Sequence, residues 1–177
     1  MHVQDKNILI TGGSGGLGSE MAKLLASQGA TVFILDLNEL QGNALVHHIQ
    51  ETGGQAYFFQ MDLTSETDWE NVIKAIVKIA GRIDVLVNNA GINIRKPIEE
   101  MSLQEWNTMM LVNVGSVFLG TKHVLPVMRS QGGGAIINTS SVCGLIGHRY
   151  TPEAYTTTKG AVTLLTKSIA SRYAKDG

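Results

Sequence analysis

Apolar residues in this chain fall in short continuous runs that alternate with segments of helical periodicity. Runs such as ILI, VFIL and VLV are apolar at every position, which is typical of parallel strands covered on both faces. Strands are predicted at 7–11, 31–36, 55–60, 83–87 and 135–139, and helices at 16–28, 39–51, 66–80, 102–129 and 153–174. This alternation predicts an α/β fold with a doubly wound parallel sheet of Rossmann type, in three α/β/α layers and a single domain spanning 1–177.

The first strand leads into a glycine-dense turn, NILITGGSGGLGS, at the start of the first predicted helix. Without Cβ atoms, the backbone of this turn can approach a ligand closely. The free N–H groups and the positive end of the helix dipole favour an anion there. Between two apolar strands, the pattern indicates a site for the diphosphate of a dinucleotide. A tight strand-to-helix turn that binds no ligand is the alternative.

Asp36 ends the second predicted strand, about 20 residues after the turn. Its carboxylate can accept hydrogen bonds from the ribose hydroxyls of adenosine and would repel a 2′-phosphate. No Lys or Arg lies in the turn or directly after Asp36, so NAD is expected and NADP is disfavoured. Asp36 could instead be a helix-capping residue. Asp62 and Leu63 follow the third strand, where they can contact adenine, although Asp62 could simply begin a turn.

The amino-acid composition limits the kinds of partner that the protein is expected to bind. The 177 residues include 14 basic and 15 acidic side chains, and no basic cluster, so a nucleic-acid partner is not expected. The single cysteine, Cys143, excludes an internal disulfide and fits a reducing compartment. With no apparent leader and no apolar run of membrane length, we expect a cytoplasmic protein without a membrane partner. His47 and His48 have no partner at metal-ligand spacing, and no metal is expected.

Tyr155 and Lys159 lie four residues apart at the start of the last predicted helix. Residues with this spacing share a helix face, so the phenol and the ammonium group can point into one site. The cation favours the ionised phenol, which lets Tyr155 donate and accept protons near neutral pH. Alone, the spacing usually marks a solvated helix face. Together with the strand-end serines Ser140 and Ser141 and the glycine turn, it indicates a catalytic site.

These motifs together resemble the short-chain dehydrogenases/reductases, in the subgroup whose turn reads TGxxxGxG. The resemblance covers essentially the whole chain and rests on TGGSGGLG, Asp36, Asp62-Leu63, NNAG at 88–91, Asn113, Ser140-Ser141, Tyr155 and Lys159. It implies an oxidoreductase that transfers a hydride between NAD(H) and a secondary alcohol or ketone.

The resemblance also implies a role for each matching residue. Tyr155 would be the general acid/base, and Ser141 would hydrogen-bond the reacting oxygen. Lys159 would hold the nicotinamide ribose, and Asn113 would position water in a proton relay through Lys159. The implied cofactor contacts are Gly12, Ser14, Gly16, Leu17, Gly18, Asp36, Asp62, Leu63, Asn89, Ala90 and Gly91, together with Tyr155 and Lys159.

Two departures from the family pattern matter. The interval from Ser141 to Tyr155 is one residue longer than the family pattern, which leaves the choice between Ser140 and Ser141 open. The chain also stops where relatives continue into further strands and a substrate-covering segment, so we expect a C-terminally truncated form. The apolar strand at 135–137 would then lie at an unprotected sheet edge.

Several alternatives follow from this interpretation. The rival to an oxidoreductase is a catalytically silent dinucleotide-binding or regulatory protein. Residues 148–150 could touch the substrate or form a surface loop. Apolar stripes on the helices at 114–129 and 154–173 either cover the sheet or, as in the family that the chain resembles, form a homodimer or homotetramer interface. Substrates remain open among 3-oxoacyl, steroid-like, and sugar or polyol compounds.

Overall fold

The structure, a computed structural model, describes residues 3–177. Five parallel strands form one sheet in the order β3-β2-β1-β4-β5. The strands are β1 (Asn7–Thr11), β2 (Thr31–Asp36), β3 (Gln55–Gln60), β4 (Val85–Asn88) and β5 (Ala135–Asn138). The chain runs outward from β1 to β3 and then returns to the other side of β1. Ligands bind at such a reversal in open α/β sheets, outside the carboxyl ends of the strands.

Six α-helices connect and follow these strands: α1 (Gly16–Ser27), α2 (Glu39–Glu51), α3 (Glu66–Ala80), α4 (Leu103–Met110), α5 (Ser116–Ser130) and α6 (Glu153–Tyr173). A π-helical turn (Leu111–Gly115) joins α4 to α5. Short 3₁₀ turns lie at Val142–Gly144 and Ala174–Asp176.

The core lies on both faces of the sheet, because successive strand residues point to opposite sides. On one face, Leu9, Phe33 and Leu86 form a buried cluster with Trp69 of α3 and Val124 of α5. On the other face, the buried cluster has its strand members Ile8, Ile10, Val32 and Ile34 together with residues of α1 and α2. The predicted three-layer fold is therefore confirmed.

Three strand boundaries differ from the prediction. The fourth strand ends at Asn88, one residue later than predicted, because Asn88 still pairs with Asn138 of β5. At the other two boundaries a side chain replaces a ladder partner. Ile83 was predicted to begin β4, but its N–H donates to Oε1 of Gln131 and its carbonyl accepts from Nε2 of the same side chain. The fourth strand therefore begins at Val85. Thr139 was predicted to end β5, but it lies just outside the strand, and its carbonyl accepts a hydrogen bond from Nζ of Lys159.

The helix predicted over 102–129 is not a single α-helix. It begins with a capping box in which Ser102 and Glu105 each bond the other's backbone N–H. It then widens into the π turn, where Asn113 is fully buried. Such turns are rare and often occur at functional sites, and sequence periodicity alone does not reveal them.

By length and composition, the continuous helical stretch Leu103–Ser130 could cross a membrane, which differs from the expectation that no segment could. In the fold, its residues Met109, Val117, Val124 and Met128 are buried, three of them at 2% exposure or less. One face of the stretch therefore packs into the core, while Leu111 and Phe118 are exposed.

The fifth strand forms an edge of the sheet, as predicted for residues 135–137. Within the described part of the chain it pairs only with β4. The side chain of Ile137 is 53% exposed.

Candidate cofactor and catalytic site

The glycine turn between β1 and α1 is crowded at some of its positions and open at others. Gly12 has φ of +60°, a left-handed conformation that favours glycine. A Cβ on Gly18 would lie 2.2 Å from the carbonyl oxygen of Gly12 and 2.9 Å from Cα of Gly13. The absence of a side chain at Gly18 therefore lets α1 begin directly against the turn.

The first turn of α1 has no side chain that caps its N–H groups. The residue before it is Gly15, and no acidic residue lies in the first turn. By contrast, α2, α3 and α4 are capped by the side chains of Asn38, Ser65 and Ser102. A Cβ on Gly15 would meet nothing within 4 Å. The open N–H groups of α1 are therefore suited to an anionic ligand.

Asp36 is tied to the glycine turn at the end of β2. One carboxylate oxygen accepts the N–H of Ser14 at 3.1 Å, and the other accepts the N–H of Asn38 at 3.2 Å. Each oxygen has a second lone pair, so the fixed carboxylate can still accept hydrogen bonds from a ligand.

A cleft of about 490 Å³ opens beside this turn; we call it the glycine-turn cleft. Its lining residues are Gly12, Gly15, Gly16, Leu17, Asp36, Leu37, Asp62, Leu63, Thr64, Asn89, Ala90, Gly91, Ile92 and Val112. No Lys or Arg is among them. The cleft thus combines uncapped helix N–H groups, one acidic wall and an apolar wall.

Thr11 and Asn89 join the turn to the segment after β4. The hydroxyl oxygen of Thr11 accepts the N–H groups of Asn89 and Ala90. The Asn89 side chain donates back to the carbonyl oxygens of Thr11 and Gly12 at 3.1 and 3.3 Å. This exchange fixes the floor of the glycine-turn cleft.

Asn113 links the π turn to the same segment. Its amide oxygen accepts the N–H of Ile92 at 2.7 Å, and its amide nitrogen donates to the carbonyl of Ile92 and to the hydroxyl of Thr158. A Cβ on Gly91 would lie 3.4 Å from the Asn113 amide oxygen and 3.5 Å from Nζ of Lys159. Asn113 and Lys159 therefore meet at Gly91, at the rim of the cleft.

Lys159 is only 4% exposed and its Nζ donates to the carbonyl of Thr139 at 2.7 Å. Burial lowers the pKa of this ammonium group from its ordinary value. The nitrogen lies 5.7 Å from the centre of the Tyr155 ring. The first two turns of α6 thus bring a buried cation next to the phenol.

The two strand-end serines have different partners. The Ser140 hydroxyl lies 3.0 Å from the carbonyl of Lys159 and 2.7 Å from the hydroxyl of Thr163, so it anchors α6. The Ser141 hydroxyl accepts the N–H of Cys143 at 3.2 Å and, within residues 3–177, forms no hydrogen bond with α6. Of the two, Ser141 is the serine suited to a ligand oxygen.

Tyr155 lines a second cleft, of about 570 Å³, which we call the Tyr155 cleft. Its other lining residues are Asn93, Arg95, Lys96, Pro97, Cys143, Arg149, Tyr150, Thr151, Pro152 and Glu153. Within it, Sγ of Cys143 lies 3.3 Å from the hydroxyl of Thr151. Hydrogen bonds with Thr151 and Ser141 lower the pKa of this thiol.

This geometry has counterparts among known proteins. The sequence profile of the short chain dehydrogenase family matches residues 6–177. The chain belongs to this family.

Individual relatives agree with that assignment. A cyclopentanol dehydrogenase from a Comamonas species is 44% identical over 95% of this chain and 67% of its own length. A 2,5-dichloro-2,5-cyclohexadiene-1,4-diol dehydrogenase from Sphingobium indicum is 40% identical over 97% of this chain and 68% of its own length. A metagenomic short-chain oxidoreductase solved in complex with NADP superimposes with a TM-score of 0.92 at 29% identity, over 99% of this chain and 80% of its own. This short-chain dehydrogenase thus spans about two thirds of the two relatives' lengths.

Most positions expected to contact the cofactor of a short-chain dehydrogenase do line the glycine-turn cleft, namely Gly12, Gly16, Leu17, Asp36, Asp62, Leu63, Asn89, Ala90 and Gly91. Ser14 and Gly18 are not in its lining, and instead shape the turn through the contacts described above. Tyr155 lines the other cleft, and Lys159 lies between the two at Gly91.

Other residues of this short-chain dehydrogenase were not expected in the site. Thr139 holds Lys159 through its carbonyl, and Ile92 holds Asn113 through both backbone groups. Thr139 could have been predicted as a site residue, because it follows the carboxyl end of a strand. Ile92 and Val112 line the cleft through loop and π-turn geometry, which no periodicity predicts. Among the residues left open, Arg149 and Tyr150 line the Tyr155 cleft, whereas His148 accepts the N–H of Tyr150.

Proposed function

We propose that this short-chain dehydrogenase interconverts a secondary alcohol and its ketone with NAD(H), using Tyr155 as the general acid/base. One observation carries the proposal: Nζ of the buried Lys159 lies 5.7 Å from the centre of the Tyr155 ring, which lines one cleft, and next to Gly91, which lines the other. We call this point the junction. A buried cation at that junction has a clear use when it holds a cofactor hydroxyl beside the phenol of Tyr155.

The glycine-turn cleft fits a dinucleotide. The uncapped N–H groups of α1 suit its diphosphate, and the fixed carboxylate of Asp36 suits an adenosine ribose. The crowded Gly18 supports this reading, because the packing there leaves the turn's backbone facing the cleft. NAD supplies the hydride acceptor or donor when bound.

The residues around the junction divide the proton chemistry among them. In the proposal, Tyr155 takes the proton from the alcohol oxygen, or returns it to the ketone oxygen. The Ser141 hydroxyl donates a hydrogen bond to the same oxygen as charge develops there. Lys159 holds the proton-transfer geometry, and Asn113 keeps Gly91 and Ile92 next to it and orders water in a relay to solvent.

For the substrate, we propose a secondary alcohol on a ring. Two relatives at 40% identity or more are named for cyclic alcohols or diols, one as a cyclopentanol dehydrogenase. Ring alcohols present a single hydroxyl or ketone carbon to Tyr155 without a flexible chain to order, which lowers the entropic cost of binding.

For the cofactor, we propose a preference for NAD(H). The lining of the glycine-turn cleft contains two carboxylates, Asp36 and Asp62, and no Lys or Arg. A 2′-phosphate at Asp36 would be repelled. We expect the dissociation constant for NADPH to be at least about tenfold that for NADH, measured by fluorescence titration. Equal dissociation constants for NADH and NADPH would contradict the preference. The measurement matters because one structural relative was solved in complex with NADP.

Tyr155→Phe tests the proposed chemistry. Removing the phenol should lower kcat with NAD and a ring alcohol such as cyclopentanol by about 100-fold or more, while NADH binds as before. Tyr57→Phe is the matched control, since Tyr57 lies on β3 outside both clefts and should keep the native rate.

The outcome separates two classes of function. A Tyr155→Phe variant with near-native turnover would overturn the role of Tyr155. Tight NADH binding by the native chain without oxidation of any secondary alcohol would instead indicate a silent dinucleotide-binding protein.

A homodimer or homotetramer is the proposed assembly. Exposed apolar side chains on α5 and α6, Phe118 at 52% and Leu164 at 68%, support it because they are left over after these helices cover the sheet. Light scattering gives the mass directly, and a monomer at working concentration would contradict it.

A further inference from the structure

The Tyr155 cleft has a strongly polar wall that the proposed chemistry does not use. Three cations line it, Arg95, Lys96 and Arg149, against one carboxylate, Glu153. The glycine-turn cleft shows the opposite pattern, with carboxylates and no cation. The two clefts therefore select for different charges.

Two of the three cations lack a compensating partner. Lys96 is ion-paired with Glu105, and hydrogen bonds from Lys96 and Ser102 lower the pKa of that carboxyl to about 2. Within residues 3–177, neither Arg95 nor Arg149 forms a salt bridge with a carboxylate. Two guanidinium groups in one cleft thus retain their full hydrogen-bonding capacity.

Arg149 is also held in place. Its guanidinium carbon lies 4.5 Å from the centre of the Tyr150 ring, a cation–π contact. The Tyr150 ring lies in turn 5.4 Å from the His148 ring. Stacking on a ring leaves the edge of the guanidinium group, with its N–H donors, open to a planar anion.

The two arginines come from two different loops, each of which runs from a strand to a helix. Arg95 follows β4, and Arg149 precedes α6, whose first turn carries Tyr155. A ligand whose hydroxyl lies at Tyr155 can therefore have its far end within reach of both segments.

We propose that the natural substrate is a secondary alcohol that also carries a carboxylate, bound by Arg149 and Arg95 at the end remote from the reacting carbon. This inference rests on the proposed function and adds the substrate's charge to it. Both arginines are exposed and stay hydrated beside a neutral alcohol, so a carboxylate is favoured by the charge-assisted hydrogen bonds that it adds.

The test compares matched pairs of substrates on the full chain with NAD. Each pair is a hydroxy acid and its methyl ester, in a ring series (4-hydroxycyclohexanecarboxylate, cis and trans) and an open-chain series (4-hydroxypentanoate). We expect kcat/KM to favour the acid by about tenfold or more, because an added charge-assisted bidentate contact forms only with the carboxylate. The preference should shrink as salt is raised.

Variants assign that preference to residues. Arg149→Gln and Arg95→Gln should each reduce the ratio of acid to ester severalfold, chiefly through a lower kcat/KM for the acid, and Arg149→Lys should retain part of the preference. Arg172→Gln is the control, since Arg172 lies near the other end of α6, roughly 25 Å along the helix from Tyr155.

A binding measurement keeps the inference independent of turnover. Cyclohexanecarboxylate, which has no hydroxyl to oxidise, should bind the NADH complex more tightly than cyclohexanol by isothermal titration, and Arg149→Gln should remove the difference. Equal binding of the two, or a preference that survives both arginine variants, would overturn the inference while leaving the proposed function intact. Oxidation of no alcohol in either series would overturn the proposed function, and the titration alone would then decide the inference.

Discussion

The two clefts of this protein are lined by different kinds of residues. The glycine-turn cleft is lined by the glycine turn and by residues that follow the strand ends, next to a buried strand in which Ile8, Leu9 and Ile10 are at most 1% exposed. The Tyr155 cleft is made of long side chains on loops beside an edge strand, where Ile137 is 53% and Tyr150 is 74% exposed. The glycine-turn cleft therefore lies against the core, and the Tyr155 cleft lies at the edge of the sheet.

This difference fits the different purposes that we propose for the two clefts. Backbone N–H groups recognise a diphosphate whatever the rest of the ligand, so the first cleft is general. Side chains such as Arg95 and Arg149 can be exchanged without disturbing the sheet, so the second cleft sets selectivity. Lys159 and Asn113 line neither cleft, but both lie next to Gly91 of the glycine-turn cleft, and Lys159 also lies near the Tyr155 ring.

The largest effect on activity is expected for a substitution of Lys159, at the junction. Lys159→Met should lower kcat by about 100-fold or more, because the ammonium group no longer acts on Tyr155. Folding should respond very differently. Burial lowers the pKa of Lys159 in the folded state, so the buried charge reduces stability at pH 7, a penalty that is complete below the folded pKa and vanishes as the pH rises to the ordinary value.

Removing that charge offsets the loss of the hydrogen bond to Thr139. The free energy of unfolding of Lys159→Met at pH 7, from urea titration, should therefore stay within about 1 kcal/mol of the native value. Lys167→Met, at an exposed position of the same helix, should leave both quantities unchanged. A variant at Lys159 that is badly destabilised would show that this cation is structural.

The next largest effect is expected for Gly18→Ala, which should disturb the glycine-turn cleft and leave the Tyr155 cleft unchanged. Its Cβ would lie 2.2 Å from a backbone oxygen that cannot move aside without shifting the turn. We expect a loss of roughly 3 kcal/mol in unfolding free energy and weakened NADH binding.

The control for Gly18→Ala is Gly15→Ala in the same turn. A Cβ on Gly15 has open space around it, and φ of −114° suits alanine. It should unfold at nearly the native urea concentration. Equal destabilisation by the two alanines would mean that backbone freedom, and not packing, dictates the glycines.

The smallest of the three effects is expected for Asn113→Ala, because this substitution leaves the lining residues of both clefts unchanged. The N–H and carbonyl of Ile92 would each lose a partner, at a cost of roughly 2 kcal/mol in unfolding free energy. Asn107→Ala, on the exposed face of α4, should cost much less. Urea denaturation with and without saturating NADH measures both, and an Asn113 variant as stable as the Asn107 variant would contradict the bridging role.

The sheet, its helices and the glycine turn could be predicted from sequence because each depends on local pattern. Apolar runs mark strands buried on both faces, and only glycine fits where a Cβ would strike backbone, as at Gly18. The acidic end of β2 was likewise visible, since Asp36 closes an apolar run.

Other features depend on contacts between distant segments. The π turn at Asn113 looks like ordinary helix in the sequence, because its hydrogen bonds to Ile92 lie 21 positions away. The choice between Ser140 and Ser141 needed the position of α6, whose Thr163 and Lys159 occupy the first serine. The cationic wall of the Tyr155 cleft joins Arg95 to Arg149 across more than 50 positions, and no spacing rule connects them.

The extra residue in the π turn has a consequence for how this chain can change over evolution. An α-helix advances about 100° per residue, so deleting one residue between Leu111 and Gly115 would rotate everything after it by that angle relative to α4. Either Asn113 would turn away from Ile92 or the stripe formed by Val117, Val124 and Met128 would turn away from the sheet. Insertions and deletions can accumulate in the loop before α6, but the length of this helix is fixed to a single amino acid.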